Sequence, residues 1–183
     1  DYKARAKTLD ALAGVSAGEV NLSAAGVDPV QVAGLIVTYD LLPMLGIQPI
    51  VGRSFTQEED AAGGPAVVLI SESLWKTTFN GSSAIAGQTI RIDDRPHEIV
   101  GVVPDTSDFG VLQILAAAAY GRGFAARGER TRVDVWRPFQ ADPQALPRST
   151  HPMFMMGRVA RGASPSAAQS ELSGIAADLE RAY

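Results

Sequence analysis

The chain has 183 residues, 46% of them apolar and 20% charged, with a net charge of −4; this suits one substantial domain or two small lobes. The acidic balance excludes a nucleic-acid-binding surface, which needs clustered Lys and Arg, and the densest basic stretch (122–132) is broken by Glu129 and by glycines. With no cysteine there is no disulfide framework, thiolate nucleophile or cysteine-based metal site, and no run approaches the roughly 20 apolar residues of a membrane span.

The chain begins at Asp1 without a methionine or a basic-then-apolar leader, which reads as a fragment or processed form whose parent carries any membrane segments elsewhere. Residues 1–13 read as an amphipathic helix, with Ala6, Leu9, Leu12 and Ala13 on one side and Gly14 as its left-handed C′ residue. Val15 to Ala24 and Val30 to Tyr39 follow as strands. Asp40 is expected to cap a short helix, 41–45, that ends at Gly46. Thr56 and Glu59 fit a capping box over one helical turn, 57–61. Ala66 to Ile70 is a short, fully apolar strand, and Ser71 caps the next helix, which Asn80-Gly81 terminates. Gln88 to Val103 reads as a hairpin turning at Asp93 to Pro96. Val111 to Ala119 suits a short helix, and Gly121, Gly123 and Gly128 suggest a mobile loop beyond it. Strands are expected over Val133 to Phe139 and Met153 to Val159, separated by a Pro-rich connector at 140–151. Ser164-Pro165 opens a final helix, 165–182, with an apolar stripe of Ala168, Leu172, Ile175 and Leu179.

Candidate chemistry is thin. Gly14-Val15-Ser16-Ala17-Gly18 spells the G-x-S-x-G elbow, but that motif works only on a tight turn from a buried strand into a helix, and here the expected order is reversed. His97 lies in a hairpin and His151 in a connector, so no triad assembles. Glu58, Glu59 and Asp60 are contiguous and splay apart, unlike the alternating ligands of a Ca²⁺ loop. Asp93-Asp94 is a turn by default, Gly121-Arg122-Gly123 lacks the rest of a dinucleotide motif, and Trp75 and Trp136 read as packing residues. The sequence offers no catalytic, metal-binding or cofactor-binding set.

The distinctive stretch is Tyr39 to Asp60, YDLLPMLGIQPIVGRSFTQEED. Tyr39 to Pro49 is followed by Gly52-Arg53-Ser54-Phe55 and Glu58-Glu59-Asp60, then by Val67 to Ser71 with Leu74-Trp75 and Phe79-Asn80-Gly81. Ile85 to Ile90, Ile99 to Pro104, Asp134 to Phe139 and Gly157-Arg158-Val159 come next, with Gly162, Ser164 and the terminal helix. Together, and in this order, these segments resemble the MacB-like periplasmic core domain of FtsX/MacB-type ABC-transporter permeases, including the duplicated permeases common in acidobacteria. On that resemblance the signature positions, with structural roles, are Leu45, Gly46, Pro49, Gly52, Arg53, Phe55, Asp60, Ser71, Trp75, Phe79, Gly87, Val100, Gly101, Pro104, Trp136, Pro138, Gly157 and Arg158.

The resemblance implies an α+β fold in which a porter-like α/β lobe (1–50 and 145–183) carries an inserted β-rich, sabre-like lobe (51–144). It implies a non-catalytic, extracytoplasmic domain between the first and second transmembrane helices of an inner-membrane permease, coupling cytoplasmic ATP hydrolysis to efflux or substrate extraction. The implied partners are the permease's own membrane helices, a second copy in a dimer, a cytoplasmic ATPase and a periplasmic adaptor protein, with no cofactor and no nucleic acid. A free-standing binding or adhesion module is the alternative. Family members carry a strand ahead of the segment matching Asp1-Tyr2-Lys3, and their link between Pro104 and Asp134 is shorter than residues 105–133. The clustered Gly and Pro of the Tyr39–Asp60 corner suggest a hinge between the two lobes.

Overall fold

The computed structural model describes residues 2–24, 27–112, 114, 132–142, 145 and 153–182. The 113–131 segment, apart from residue 114, and most of the 143–152 connector, His151 included, lie outside the described residues. The expected helix at 111–119 and the glycine loop after it fall there almost entirely. Helix α1 (Tyr2–Arg5) leads into the long strand β1 (Leu9–Ala24) and then β2 (Val27–Val37), α2 (Leu41–Met44), β3 (Val51–Gly52) and β4 (Val67–Ser71). Helix α3 (Glu72–Thr78), the hairpin β5 (Thr89–Ile92) and β6 (Arg95–Val103), a 3-10 turn at Asp105–Asp108, β7 (Val133–Pro138), β8 (Phe154–Val159) and α4 (Pro165–Ala182) follow.

Among the described residues all eight strands belong to one sheet, in the order β2-β7-β4-β6-β5-β1-β8 with β3 beside β6. β1 also pairs with β2, from Val15↔Val37 to Ala24↔Val27, so the pairings of six strands close into a ring. The architecture is therefore a mixed helix-and-strand fold around a sheet-rich core. One core cluster draws on every strand of the ring: Val20 and Leu22, Val32, Val135, Val68 and Ile70, Ile99 and Val102, Ile90 and Ile92, with Leu74 of α3. Strand alternation puts a second set on the opposite face, where Leu35, Val37, Leu69, Val100 and Trp136 pack against Leu41, Leu42 and Met44 of α2. β4 is buried at all five positions because both faces are covered.

The N-terminal helix is the main correction. α1 stops at Arg5, and residues 9–24 are one strand. Leu9 and Leu12 have helical spacing, but Leu12, Ala13, Gly14 and Val15 are all buried in succession, because β8 pairs with this half of β1 from Leu9↔Val159 to Val15↔Phe154. A run covered on both faces carries no periodicity, and pairing overrides the helical propensity of its alanines. Gly14 accordingly sits mid-strand, where a Cβ would come within 2.7 Å of the Met153 sulfur. β2 begins three residues before the expected Val30. Between Leu22↔Val30 and Ala24↔Val27 two β2 residues, Asp28 and Pro29, stand against the single Ser23 of β1, and Pro29, which has no N–H to donate, is accommodated in that bulge.

The local signals otherwise translate directly into hydrogen bonds. Ser71 Oγ accepts from Leu74 N at 3.0 Å and caps α3, and Ser164 Oγ accepts from Ala167 N at 3.1 Å at the start of α4. The hairpin turn is tighter than expected. Asp93 (φ 48°) and Asp94 (φ 64°) form a two-residue turn of the type that follows strand twist, so Arg95 and Pro96 already belong to β6. Along α4, Ala168 and Ile175 are buried, whereas Leu172 and Leu179 stay half-exposed.

Candidate functional site

The Tyr39–Asp60 corner joins β2 to the rest of the sheet. α2 occupies the expected position after Asp40, but Asp40 makes no side-chain cap; its carboxylate accepts from Thr38 Oγ1 at 2.7 Å and pairs with Lys3. Leu45 ends α2, and Gly46 takes up φ +75° with open space around it. β3 then runs against β6, with Val51↔Val102 and Gly52↔Gly101. Gly52 has φ +73°, and a Cβ there would meet the Val100 carbonyl oxygen at 2.2 Å, so no other residue fits. Gly101 is nearly as confined, since a Cβ there would lie 2.8 Å from the Val51 carbonyl oxygen and 2.7 Å from that of Arg53.

Arg53 forks onto Glu59, with Nη1 to Oε2 at 2.9 Å and Nη2 to Oε1 at 2.6 Å. The capping box forms as the sequence suggests: Thr56 N donates to Glu59 Oε2 at 2.8 Å, and Glu59 N to Thr56 Oγ1 at 3.3 Å. Burial alone would raise the Glu59 carboxyl, but the Arg53 and Thr56 hydrogen bonds outweigh it and hold the group below the ordinary carboxylate range. Asp60 closes the corner. Its Oδ2 accepts from Tyr39 N at 3.0 Å, and its Oδ1 from Phe139 N at 2.7 Å and Gln140 N at 3.3 Å. One carboxylate thus ties together the ends of the parallel strands β2 and β7. Gln140, at φ 50°, adds Nε2 bonds to the Glu59 carbonyl at 2.7 Å and the Pro65 carbonyl at 2.8 Å.

This geometry argues against the free hinge expected from the Gly and Pro content. The corner is a clasp: Gly52 allows close backbone approach to β6, and Glu59 and Asp60 are consumed by Arg53 and by backbone amides. Glu59 and Asp60 are for the same reason ill placed as a hard-metal pair.

The other signature positions are spread through the fold. Phe55, Val100 and Trp136 lie in the α2-side core, and Trp136 is fully buried with no hydrogen bond to its Nε1 among the described residues. Ser71 Oγ, besides capping α3, donates to Asp134 Oδ1 at 2.9 Å. Trp75 Nε1 donates to the Ser82 carbonyl, and Phe79 packs on the ring-side core. Gly87 N donates to the Ile99 carbonyl, and Pro104 precedes the 3-10 turn. Pro49 lies on the loop into β3, and Pro138 ends β7. Gly157 and Arg158, on β8, pair with Leu12 and Ala11 of β1. Ser16 of the G-x-S-x-G match lies mid-strand opposite Ile36, which removes the strained turn the elbow requires.

Between α4 and the β1–β8 pair runs an apolar groove of about 610 Å³, lined by Leu9, Leu12, Met155, Val159, Ala168 and Leu172 among others. At one rim Glu171 of α4 accepts from Lys7 N, Thr8 N and Thr8 Oγ1 at 2.5–2.9 Å. Those bonds hold its carboxyl below the ordinary range and tie the C-terminal helix to the start of β1.

The MacB-like periplasmic core domain family matches residues 1–175, nearly the whole chain. The chain belongs to this family. Among curated protein sequences none matches. Among solved structures, the periplasmic region of MacB from Actinobacillus actinomycetemcomitans is similar at 14% identity and a TM-score of 0.66, over 96% of this chain and 70% of that one. A domain assigned to a permease from Porphyromonas gingivalis is similar at 16% identity and a TM-score of 0.62, over 94% and 65%. The extracellular domain of the noncanonical ABC-type transporter YknZ from Gram-positive bacteria is similar at 12% identity and a TM-score of 0.59, over 91% and 72%. The chain thus spans about two thirds of the length of these structures. As a MacB-like core domain it is an extracytoplasmic domain of an inner-membrane ABC permease. Among the described residues no helix is long and apolar enough to cross a membrane.

Proposed function

We propose that this MacB-like domain is the non-catalytic, force-transmitting core of its permease, coupling cytoplasmic ATP hydrolysis to efflux or extraction of a substrate outside the inner membrane. The observation that carries the reading is the family match over residues 1–175, and the clasp adds a physical reason. A domain that relays membrane-helix movement must not dissipate it internally, and the shared sheet with the Asp60 tie across β2 and β7 makes this one stiff.

In the same proposal residues 1–50 and 145–183 act as the porter-like lobe and 51–144 as the sabre-like insertion. The β1–β8 pairing and the Glu171 bonds to Lys7 and Thr8, which bring the two chain ends together, support that grouping. The permease works as a dimer with a cytoplasmic ATPase and a periplasmic adaptor. Because this domain lacks cysteine, a Gln57→Cys reporter in an intact permease with any cysteines outside the domain replaced tests the reading. It should react with a membrane-impermeant maleimide from outside the inner membrane, and its cross-linking to the second copy should change on ATP binding. Cross-linking that is indifferent to nucleotide would overturn the coupling role.

A further inference from the structure

The six-strand ring has a mouth lined with cations. Ile36 of β2, Arg137 of β7 and His97 of β6 lie, by strand alternation, on the same face as Val135 and Ile99 of the ring-side core. The step from Val135 to Arg137 and the step from Ile99 to His97 lead toward the same end, because β7 runs antiparallel to β4 while β6 runs parallel to it. There they line a cavity of about 190 Å³ together with Arg95, Val67 and Gln140.

The charges at this mouth are unbalanced. The Arg137 side chain is only 23% exposed, yet its guanidinium makes no hydrogen bond to a described residue. Its nearest acid, Asp93, stands 3.8 Å away, beyond hydrogen-bond reach, and is itself 45% exposed with Oδ1 occupied by Asn21 N. Burial lowers the Arg137 pKa and Arg95 lowers it further, with Asp93 offsetting in part. Burial also lowers that of His97, whose Nδ1 faces the Arg95 carbonyl at 2.9 Å. A half-buried guanidinium that makes no hydrogen bond to a described residue and only a long ion pair to Asp93 has donors left for a further acceptor.

We propose that this cavity binds a single oxyanionic group, a phosphate or carboxylate borne by a small molecule, held by Arg137 and Arg95. The planar guanidinium fork matches either group through paired N–H···O bonds. The cavity is smaller than the roughly 300–1,000 Å³ of drug-sized pockets, so it suits one anionic group rather than a whole large ligand. Arg95 and Arg137 are the charged side chains that line the cavity itself; Asp93 stands beside Arg137, and Asp60 is already occupied by the Tyr39, Phe139 and Gln140 amides. Barrel mouths are a recurrent location for such sites. The site does not depend on the permease role.

The test is a ¹H–¹⁵N NMR titration of the 183-residue chain with inorganic phosphate, acetate and chloride at constant ionic strength. Phosphate or acetate should produce saturable shifts at the Arg95, His97, Arg137 and Phe139 amides, and chloride should not. Saturation by phosphate alone assigns a phosphate-bearing ligand, and saturation by acetate alone assigns a carboxylate. Arg137→Gln should weaken binding roughly tenfold or more, as loss of charge-assisted bonds requires. Arg95→Gln, at an exposed position that tolerates change, should do likewise with an otherwise native spectrum, and Arg158→Gln on β8 should have no effect. No saturation by either anion, or undiminished binding by a folded Arg95→Gln chain, would refute the site.

Discussion

Replacing Asp60 by alanine should destabilise the domain by about 3 kcal/mol. Two of its three accepted bonds are short, from Phe139 N at 2.7 Å and Tyr39 N at 3.0 Å, and the third, from Gln140 N at 3.3 Å, is long. Hydrogen bonds to a charged acceptor contribute about 1.5–3 kcal/mol each. The residues involved are all half-buried, so water can reach the freed amides, and the lower end of that range applies to the two short bonds and nothing to the third. At roughly 2–4 °C per kcal/mol for a chain of this size, Tm should fall by about 6–12 °C. Asp60→Asn keeps one acceptor oxygen and should lose about half as much. Urea unfolding followed by the fluorescence of Trp75 and Trp136 measures the loss, and amide hydrogen exchange localises it, since protection should drop first at Tyr39 and Phe139. An Asp60→Ala chain within ~0.5 kcal/mol of wild type, the spread of ordinary surface changes, or with unchanged exchange at those two amides, would refute the clasp.

Three other predictions concern the same elements. Gly52→Ala combines φ +73° with a 2.2 Å clash against the Val100 carbonyl and should cost more than about 3 kcal/mol or prevent folding, whereas Gly46→Ala, at φ +75° in open space, should cost only the ~1–2 kcal/mol of a left-handed residue; equal costs in urea titrations would show that β3 does not approach β6 as described. Ser71→Ala removes the α3 cap and the Asp134 bond and should cost about 1–2 kcal/mol, visible as a lower urea midpoint. Glu59 has a folded pKa below its unfolded value of about 4.5, so its contribution is complete above that pH and is lost as pH falls through the folded value; Glu59→Gln should therefore flatten the acid limb of stability against pH, and an unchanged limb would contradict the Arg53–Glu59 account.

Much of the fold was legible because its local signals are strong and self-contained. Ser71, Ser164 and the Thr56–Glu59 pair are caps whose partners lie three residues away, and the all-apolar 66–70 run could only be a strand covered on both faces. The first strand was not legible, because what makes 9–15 extended is β8, some 145 residues later. Asp40 shows a subtler limit: its position is that of a cap, but Thr38 and Lys3 capture its carboxylate. The clasp itself was half visible. Asp60 stands out as part of an acidic run, yet nothing in Phe139-Gln140 announces that their amides would face it. For the ring mouth a signal did exist, since Arg137 falls in phase with Val135 on a strand whose alternation points that position inward.

A domain that transmits force as one stiff body keeps its internal distances while the permease turns over. Spin labels at Gln57→Cys and Ser170→Cys, both exposed, allow a distance measurement by pulsed electron resonance in the intact permease with and without trapped ATP. The distance within each domain should stay unchanged, and the distance between the Gln57→Cys sites of the two copies should change. A shift in the intradomain distance, or a fixed distance between copies, would contradict force transmission by a stiff domain.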